Sequence, residues 1–140
     1  MKNLIILSIL FLFLSVGVIS QNYNRDVHQL IKCRFSGSDV ECIDQDVNYK
    51  FKIDTYLNWI IVLDSKEKDP EILSDVNIIS SQMLNGGVWL YETENEEGKR
   101  FIYSFDEKKG SLHITPLFKL NSYNGEYSTF ILRFRNPIKI

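Results

Sequence analysis

Alanine is absent from the 140-residue sequence, and histidine and cysteine occur only twice each. Alanine is the strongest helix former, whereas the β-branched and aromatic residues used here suit strands. This absence favours an all-β fold, although an AT-rich genome would also deplete alanine. An excess of positive charge is lacking too, because 16 Lys and Arg residues face 18 Asp and Glu residues. Nucleic-acid binding depends on a basic surface, so we expect no nucleic-acid partner.

The sequence motifs of common enzymes are also missing. The chain contains no Gly-x-Ser-x-Gly elbow, no glycine-rich phosphate loop, no dinucleotide-binding fingerprint and no Cys-x-x-Cys pair. The two histidines, His28 and His113, lie in no nucleophile or metal-ligand pattern. Residues 44–48 begin like a calcium-binding loop, but Tyr49 and Thr55 stand where that loop needs Gly and Glu. We therefore predict no catalytic residue, no metal site and no cofactor.

The first 20 residues have the pattern of a secretory signal peptide. Lys2 provides a positive start, and the run 4–19 is uncharged and largely apolar. Val18 and Ser20 occupy the −3 and −1 positions of a cleavage site before Gln21. A membrane anchor, the alternative, needs roughly 20 apolar residues, which is more than this run offers. We predict a signal peptide over 1–20 and a single β-rich exported domain over 21–140. The domain would be secreted or periplasmic, with no stable membrane insertion after cleavage.

Export permits disulfides, and both cysteines lie in a segment that is typical of a β-hairpin. Gly37-Ser38 suits a type II′ turn, in which glycine supplies the positive φ. That turn places Cys33 opposite Cys42 as a non-hydrogen-bonded pair, where Cα atoms lie about 4.5 Å apart and a disulfide fits. The same register brings an arginine opposite a glutamate, which is a favourable pair. We predict a Cys33–Cys42 disulfide, with two free thiols as the alternative.

The rest of the chain is predicted to form short strands joined by tight turns. Residues 47–53 alternate apolar and polar side chains, as in a strand with one buried face. Further strands are predicted over 59–63, 75–84, 87–93, 99–105 and 130–135, with turns at Gly86-Gly87 and Asn124-Gly125. We predict a single antiparallel up-and-down meander of about eight or nine strands, closing as a small barrel or sandwich. A short N-terminal helix over 25–31 competes with an upstream extension of the first strand.

Aromatic side chains are the main candidates for a ligand or interaction site. Five of them could line a cavity or form an interaction surface, although filling the core of a small β-domain is the favoured interpretation: Trp59, Trp89, Tyr91, Phe101 and Tyr103. The acidic run over 92–97 is interpreted as a solvated loop. We predict a non-enzymatic binding or interaction module of the cell exterior or envelope, whose partner is a protein, a glycan or a small apolar ligand. The alternatives are a small-ligand carrier with a barrel cavity and a small hydrolase. A hollow interior would favour the carrier.

Overall fold

The computed structural model describes residues 22–65, 70–117 and 126–135. Within these ranges the protein forms eight antiparallel strands and no helix. The strands are β1 (Asn22–Ser36), β2 (Asp39–Asp54), β3 (Trp59–Asp64), β4 (Glu71–Met83), β5 (Val88–Glu94), β6 (Arg100–Asp106), β7 (Ser111–Pro116) and β8 (Tyr127–Phe134). Each strand pairs with the next one in the chain, and β8 pairs with β1 to close a barrel. The predicted all-β meander is therefore confirmed, and of the two predicted closures the barrel is correct.

The first strand begins further upstream than the alternation alone indicated. β1 includes residues 25–31, so the helix considered there is wrong and the extended strand is correct. In the pairing with β8, a register shift between Val27 and Gln29 places one extra residue, His28, in β1. This bulge breaks the period of two among the apolar residues, which produces a helix-like spacing in the sequence. Pairing with both β2 and β8 nevertheless keeps the segment extended.

The β1–β2 hairpin has the predicted register. Cys33 pairs with Cys42, and the two residues form a disulfide with Cα atoms 4.1 Å apart. Gly37 has a φ of 60°, which is the positive value that the predicted turn requires. The turn chemistry and the cysteine spacing, which are both local features, were therefore sufficient to predict this part of the fold.

Barrel closure changes the ion pair that the hairpin register suggested. Arg34 lies opposite Glu41, as predicted. Its guanidinium, however, pairs with the Glu126 carboxylate at 2.9 Å, and the Ser36 hydroxyl donates to the same carboxylate at 3.1 Å. Glu126 lies directly before β8, so it reaches β1 only because β8 closes the barrel. These exposed contacts link the tip of the hairpin to the neighbouring strand but contribute little to stability.

The predicted β4–β5 turn is wrong by one residue. A two-residue turn at Gly86-Gly87 would pair Trp89 with Leu84, but Trp89 pairs with Met83. The connection is therefore one residue longer, and both of its glycines have positive φ, 91° and 81°. Glycine tolerates this conformation at consecutive positions, so the local sequence is compatible with either turn length.

The two ends of the barrel are filled differently. The connections at 55–58, 84–87 and 107–110 lie at one end, called the closed end, and the described connections at 37–38 and 95–99 lie at the other, called the open end. Inside the closed end, four aromatic rings pack together with centroids 4.7–5.8 Å apart. This aromatic plug consists of Tyr23, Phe51, Phe105 and Phe134. Arg25 lies beside it and pairs with Glu107 of the closed-end connection at 3.3 Å.

Residues 39–47 of β2 lie at an edge of the sheet towards the open end. Among the described residues they pair with β1 only, because the β2–β3 pairing covers 49–54 and the Asn48 carbonyl accepts from the Ser65 amide at 2.8 Å. Carboxylates are concentrated on this edge, and all of them are exposed: Asp39, Glu41, Asp44 and Asp46. Charged side chains on an edge strand oppose pairing with another sheet. The structure therefore places these carboxylates on a solvated hairpin edge.

Some predictions lie outside the described residues. They are the signal peptide over 1–20 with its cleavage before Gln21, the Asn124-Gly125 turn, and most of the charged loop between Ser65 and Glu71. In the part of the chain that the structure describes, no helix is long and apolar enough to cross a membrane. The Cys33–Cys42 disulfide is compatible with an exported protein.

Candidate functional site

The open half of the barrel contains a cavity of about 750 Å³. Strands on all sides of the barrel contribute to its wall, and the β5–β6 connection contributes to its mouth. Most of its wall is apolar or aromatic, as in Leu30, Tyr49, Phe101, Ile114, Phe130 and Leu132. The interior is therefore hollow towards the open end and packed towards the closed end.

Small inward-facing side chains leave the space for this cavity. Val62 of β3 and Ser74 and Val76 of β4 line it, whereas the corresponding volume at the closed end is occupied by the aromatic plug. The strands are also strongly staggered, as the pairing of β1 shows: it pairs with β2 along its length but with β8 only over 27–35. An eight-stranded barrel has room either to fill its interior with side chains or to hold one small ligand. In this protein side chains fill the closed half, and the open half contains the cavity.

The β5–β6 connection holds two carboxylates at the mouth. The side-chain oxygen of Asn95 accepts hydrogen bonds from the backbone amides of Glu97 and Lys99, at 3.0 and 2.9 Å. Gly98 has a φ of 81°, a conformation that glycine adopts at low cost. These features give the connection a defined shape in which Asn95, Glu96 and Glu97 line the cavity.

The charge of the lining is negative. Three of its residues carry carboxylates, namely Asp75, Glu96 and Glu97, of which Glu97 is paired with the Lys99 ammonium at 3.4 Å. None of its described residues is a lysine or arginine. Lys32 lies beside the wall, with its ammonium 5.8 Å from the centre of the Phe130 ring. A cavity with this distribution of charge attracts neutral or cationic molecules more than anionic ones.

A pair of hydroxyl groups interrupts the apolar wall. Ser74 Oγ on β4 and Tyr103 Oη on β6 are 2.9 Å apart and share a hydrogen bond. Tyr103 is 2% exposed, whereas Ser74 is half-buried. Burial raises the pKa of Tyr103, the bond to Ser74 lowers it, and the charge of Asp75 raises it, with a net upward shift. The phenol is therefore protonated at neutral pH, and the pair bridges two strands that are not neighbours in the sheet.

The five aromatic residues identified from the sequence lie in three places. Phe101 and Tyr103 line the cavity. Tyr91 is buried in the core, and the Trp89 ring stacks on it with centroids 6.2 Å apart. Trp59 is half-buried at the start of β3, next to a closed-end connection. The structure thus brings two of the five together at the cavity.

Neither histidine is among the residues that line the cavity. His28 is exposed in the β1 bulge, and His113 is exposed on β7, opposite Ser104 and Ile131. Partial burial and the charge of Arg133 lower the pKa of His113, which is therefore neutral at pH 7. Among the described residues, no cluster of three or more potential metal ligands occurs.

The polar members of the cavity were missed in the sequence analysis. Ser74 carries no local signal, because a lone serine in a strand is common and its partner Tyr103 lies two strands away. The sequence predicts that Glu96 and Glu97 are solvated loop residues, and they are indeed exposed, yet they also line the mouth. Only the position of the β5–β6 connection over the hollow half reveals this second role.

Comparisons with known proteins do not indicate a function. No protein-family model matches the chain, and neither a curated protein nor a solved structure matches it significantly. The cavity's volume, charge and hydroxyl pair are therefore the features that bear on function.

Proposed function

We propose that the protein binds a small, mainly apolar molecule in the open half of the barrel. The observation that carries this proposal is the cavity of about 750 Å³. Ligand pockets typically have volumes of about 300–1,000 Å³ and predominantly apolar walls with a few polar groups. Protein interiors are otherwise close-packed, so a hollow of this size requires a reason other than folding.

The mouth of the cavity also supports an apolar ligand. Ile72 and Leu73 line it and are 59% and 43% exposed. Covering large apolar side chains is favourable because it removes their surface from water. A ligand that fills the cavity would cover part of this surface, which adds to its affinity.

The negative lining favours a neutral ligand over an anionic one. Asp75 and Glu96 would repel the carboxylate of a fatty acid placed at the mouth, whereas Glu97 is paired with Lys99. The proposal is therefore a carrier or receptor for a neutral apolar molecule, and not a fatty-acid carrier.

The other two candidate functions have less support. A hydrolase needs a nucleophile within hydrogen-bond reach of a base, and neither His28 nor His113 lines the cavity. A protein- or glycan-binding surface would be expected to expose a cluster of aromatic residues. Four of the five candidate aromatics instead line the cavity or lie in or against the core. Recognition of a protein or a glycan stays a prediction.

A fluorescent apolar probe tests the proposed ligand site. N-phenyl-1-naphthylamine is uncharged at neutral pH, and its emission rises when it leaves water. We expect it to bind the wild-type protein saturably. Leu30→Trp should weaken binding by about tenfold or more, equivalent to about 1.4 kcal/mol. The reason is that Leu30 lines the cavity and the larger side chain would occupy part of its volume.

Ile79→Trp is the matched control for this experiment. Ile79 is 45% exposed on β4 and does not line the cavity, so the same new side chain should leave the probe affinity within about twofold of wild type. Denaturation curves of both variants establish that they are folded. The proposal is wrong if the wild-type protein shows no saturable binding, or if both variants weaken binding equally.

We also infer that the protein is exported and cleaved before Gln21. The signal-peptide pattern of 1–20 supports this, and so does the disulfide, because disulfides persist in oxidising compartments. In a host with a secretory pathway, the exported fraction should contain a chain that begins at Gln21, as measured by N-terminal sequencing. Leu12→Arg, which interrupts the apolar run, should keep the uncleaved precursor inside the cell. An exported chain that begins at Met1, or one that stays in the membrane after a carbonate wash, would contradict this inference.

A further inference from the structure

The two hydroxyl groups of the cavity, those of Ser74 and Tyr103, differ in how deeply they are buried. By distance alone, either Ser74 or Tyr103 could donate in the 2.9 Å hydrogen bond between them. Tyr103 is 2% exposed, and Ser74 is the partner of its hydroxyl. Leaving a buried hydroxyl proton without an acceptor costs about 1–3 kcal/mol. Ser74 is half-buried and can direct its own proton elsewhere. The favourable arrangement therefore has Tyr103 donating to Ser74.

Donation by Tyr103 determines what Ser74 presents to the cavity. A serine hydroxyl has one proton and two lone pairs, and Tyr103 uses one of the lone pairs. Within the described residues, the bond to Tyr103 is the only hydrogen bond of the Ser74 side chain. Its proton is therefore available to a group inside the cavity that Ser74 lines.

The surroundings of Ser74 make this donor selective. Val62 lies directly opposite Ser74 in the β3–β4 pairing, and Val76 follows on the same face of β4. Both valines are 4% exposed and line the cavity. A hydrogen-bond donor in an apolar wall discriminates strongly between ligands, because a ligand that has no acceptor leaves the donor unpaired.

We propose that the Ser74 hydroxyl donates a hydrogen bond to a neutral oxygen of the ligand. The cavity would then take an apolar molecule that carries a carbonyl, ether or hydroxyl oxygen, with Tyr103 as a positioning residue that acts through Ser74. This inference rests on the proposed ligand binding in the barrel and names the chemical class of that ligand. The carboxylates of Asp75 and Glu96 disfavour a carboxylate as the acceptor.

Two probes of nearly equal shape test this specificity. 2-Acetylnaphthalene has a carbonyl oxygen where 2-isopropylnaphthalene has a methyl group, and equilibrium dialysis measures the affinity of each. Ser74→Ala should lower the ratio of ketone affinity to hydrocarbon affinity about three- to tenfold, as loss of one hydrogen bond does. Ser74→Thr keeps the hydroxyl and should retain most of the wild-type ratio. Tyr103→Phe should give an intermediate ratio, because the donor stays but loses its orientation.

Val76→Ala is the control, since it alters the wall beside Ser74 without changing a polar group. It should change both affinities together and leave their ratio within about twofold of wild type. Binding of the hydrocarbon by Ser74→Ala shows that this variant is folded. An unchanged ratio in Ser74→Ala would overturn the role of Ser74 while leaving the ligand-binding function intact. If the wild-type protein bound neither naphthalene, the proposed function would fail, and this inference with it.

Discussion

Phe105→Ala should lower the free energy of unfolding by about 3–5 kcal/mol, the usual cost of truncating a fully buried phenylalanine. Phe105 is 1% exposed, and its ring contacts those of Tyr23, Phe51 and Phe134 with centroids 4.7–5.8 Å apart. Removing it opens a void in the aromatic plug, and the paired strands around the plug prevent the void from closing. Chemical denaturation of the protein with its disulfide intact measures the loss.

Phe130→Ala makes the same substitution in the hollow half and is the matched control. Phe130 is half-buried and lines the cavity, so part of its ring already lacks packing partners. We therefore expect a loss below about 2 kcal/mol, because fewer contacts are removed and no new enclosed void forms. Equal losses at the two positions would contradict the division of the barrel into a packed half and a hollow half, on which the proposed function depends.

Reduction of the Cys33–Cys42 disulfide should lower the free energy of unfolding by about 2–3 kcal/mol, the value that loop-closure entropy predicts for a short loop. The bond joins residues nine apart in the chain. The barrel should survive reduction, because Cys33 also pairs with Thr129 of β8 and the other strand pairs do not involve the hairpin tip. Thermal denaturation with and without reductant measures the effect, and circular dichroism shows whether the strands persist.

A double variant, Cys33→Ser with Cys42→Ser, provides the control. It should resemble the reduced protein in stability and should not respond to the reductant. Two alkylatable thiols in the unreduced native protein would show that the bond does not form. Loss of the strand signal on reduction would instead show that the barrel depends on the hairpin more than its strand pairing indicates.

Local chemistry made some parts of the fold predictable and left others open. The Cys33–Cys42 register depends on one turn and on the residues directly beside it, and the prediction was correct. The β4–β5 turn depends on the same kind of signal, but Gly86 and Gly87 allow two loop lengths. The choice between them follows from pairing further along the strands, where Ile78 and Ser80 flank a register shift that the sequence does not reveal.

The candidate site was predictable only in part. Alternation along β6 indicates that Phe101, Tyr103 and Phe105 share one face, and all three do point inward. Phe105 nevertheless belongs to the aromatic plug, while Phe101 and Tyr103 line the cavity. Their different roles follow from their positions along the barrel axis, which depend on how the strands are staggered.

The amino-acid pattern alone predicts an all-β chain of consecutive antiparallel strands with Cys33 facing Cys42, as the structure confirms. Side-chain alternation and turn chemistry act over a few residues, so they can be recognised without the fold. Three features become visible in the folded chain alone: the sheet closes as a barrel, Ser74 contacts Tyr103, and one half of the interior is hollow. The reason is that closure depends on the stagger of β8 against β1, and the enclosed volume depends on side chains from strands far apart in the chain.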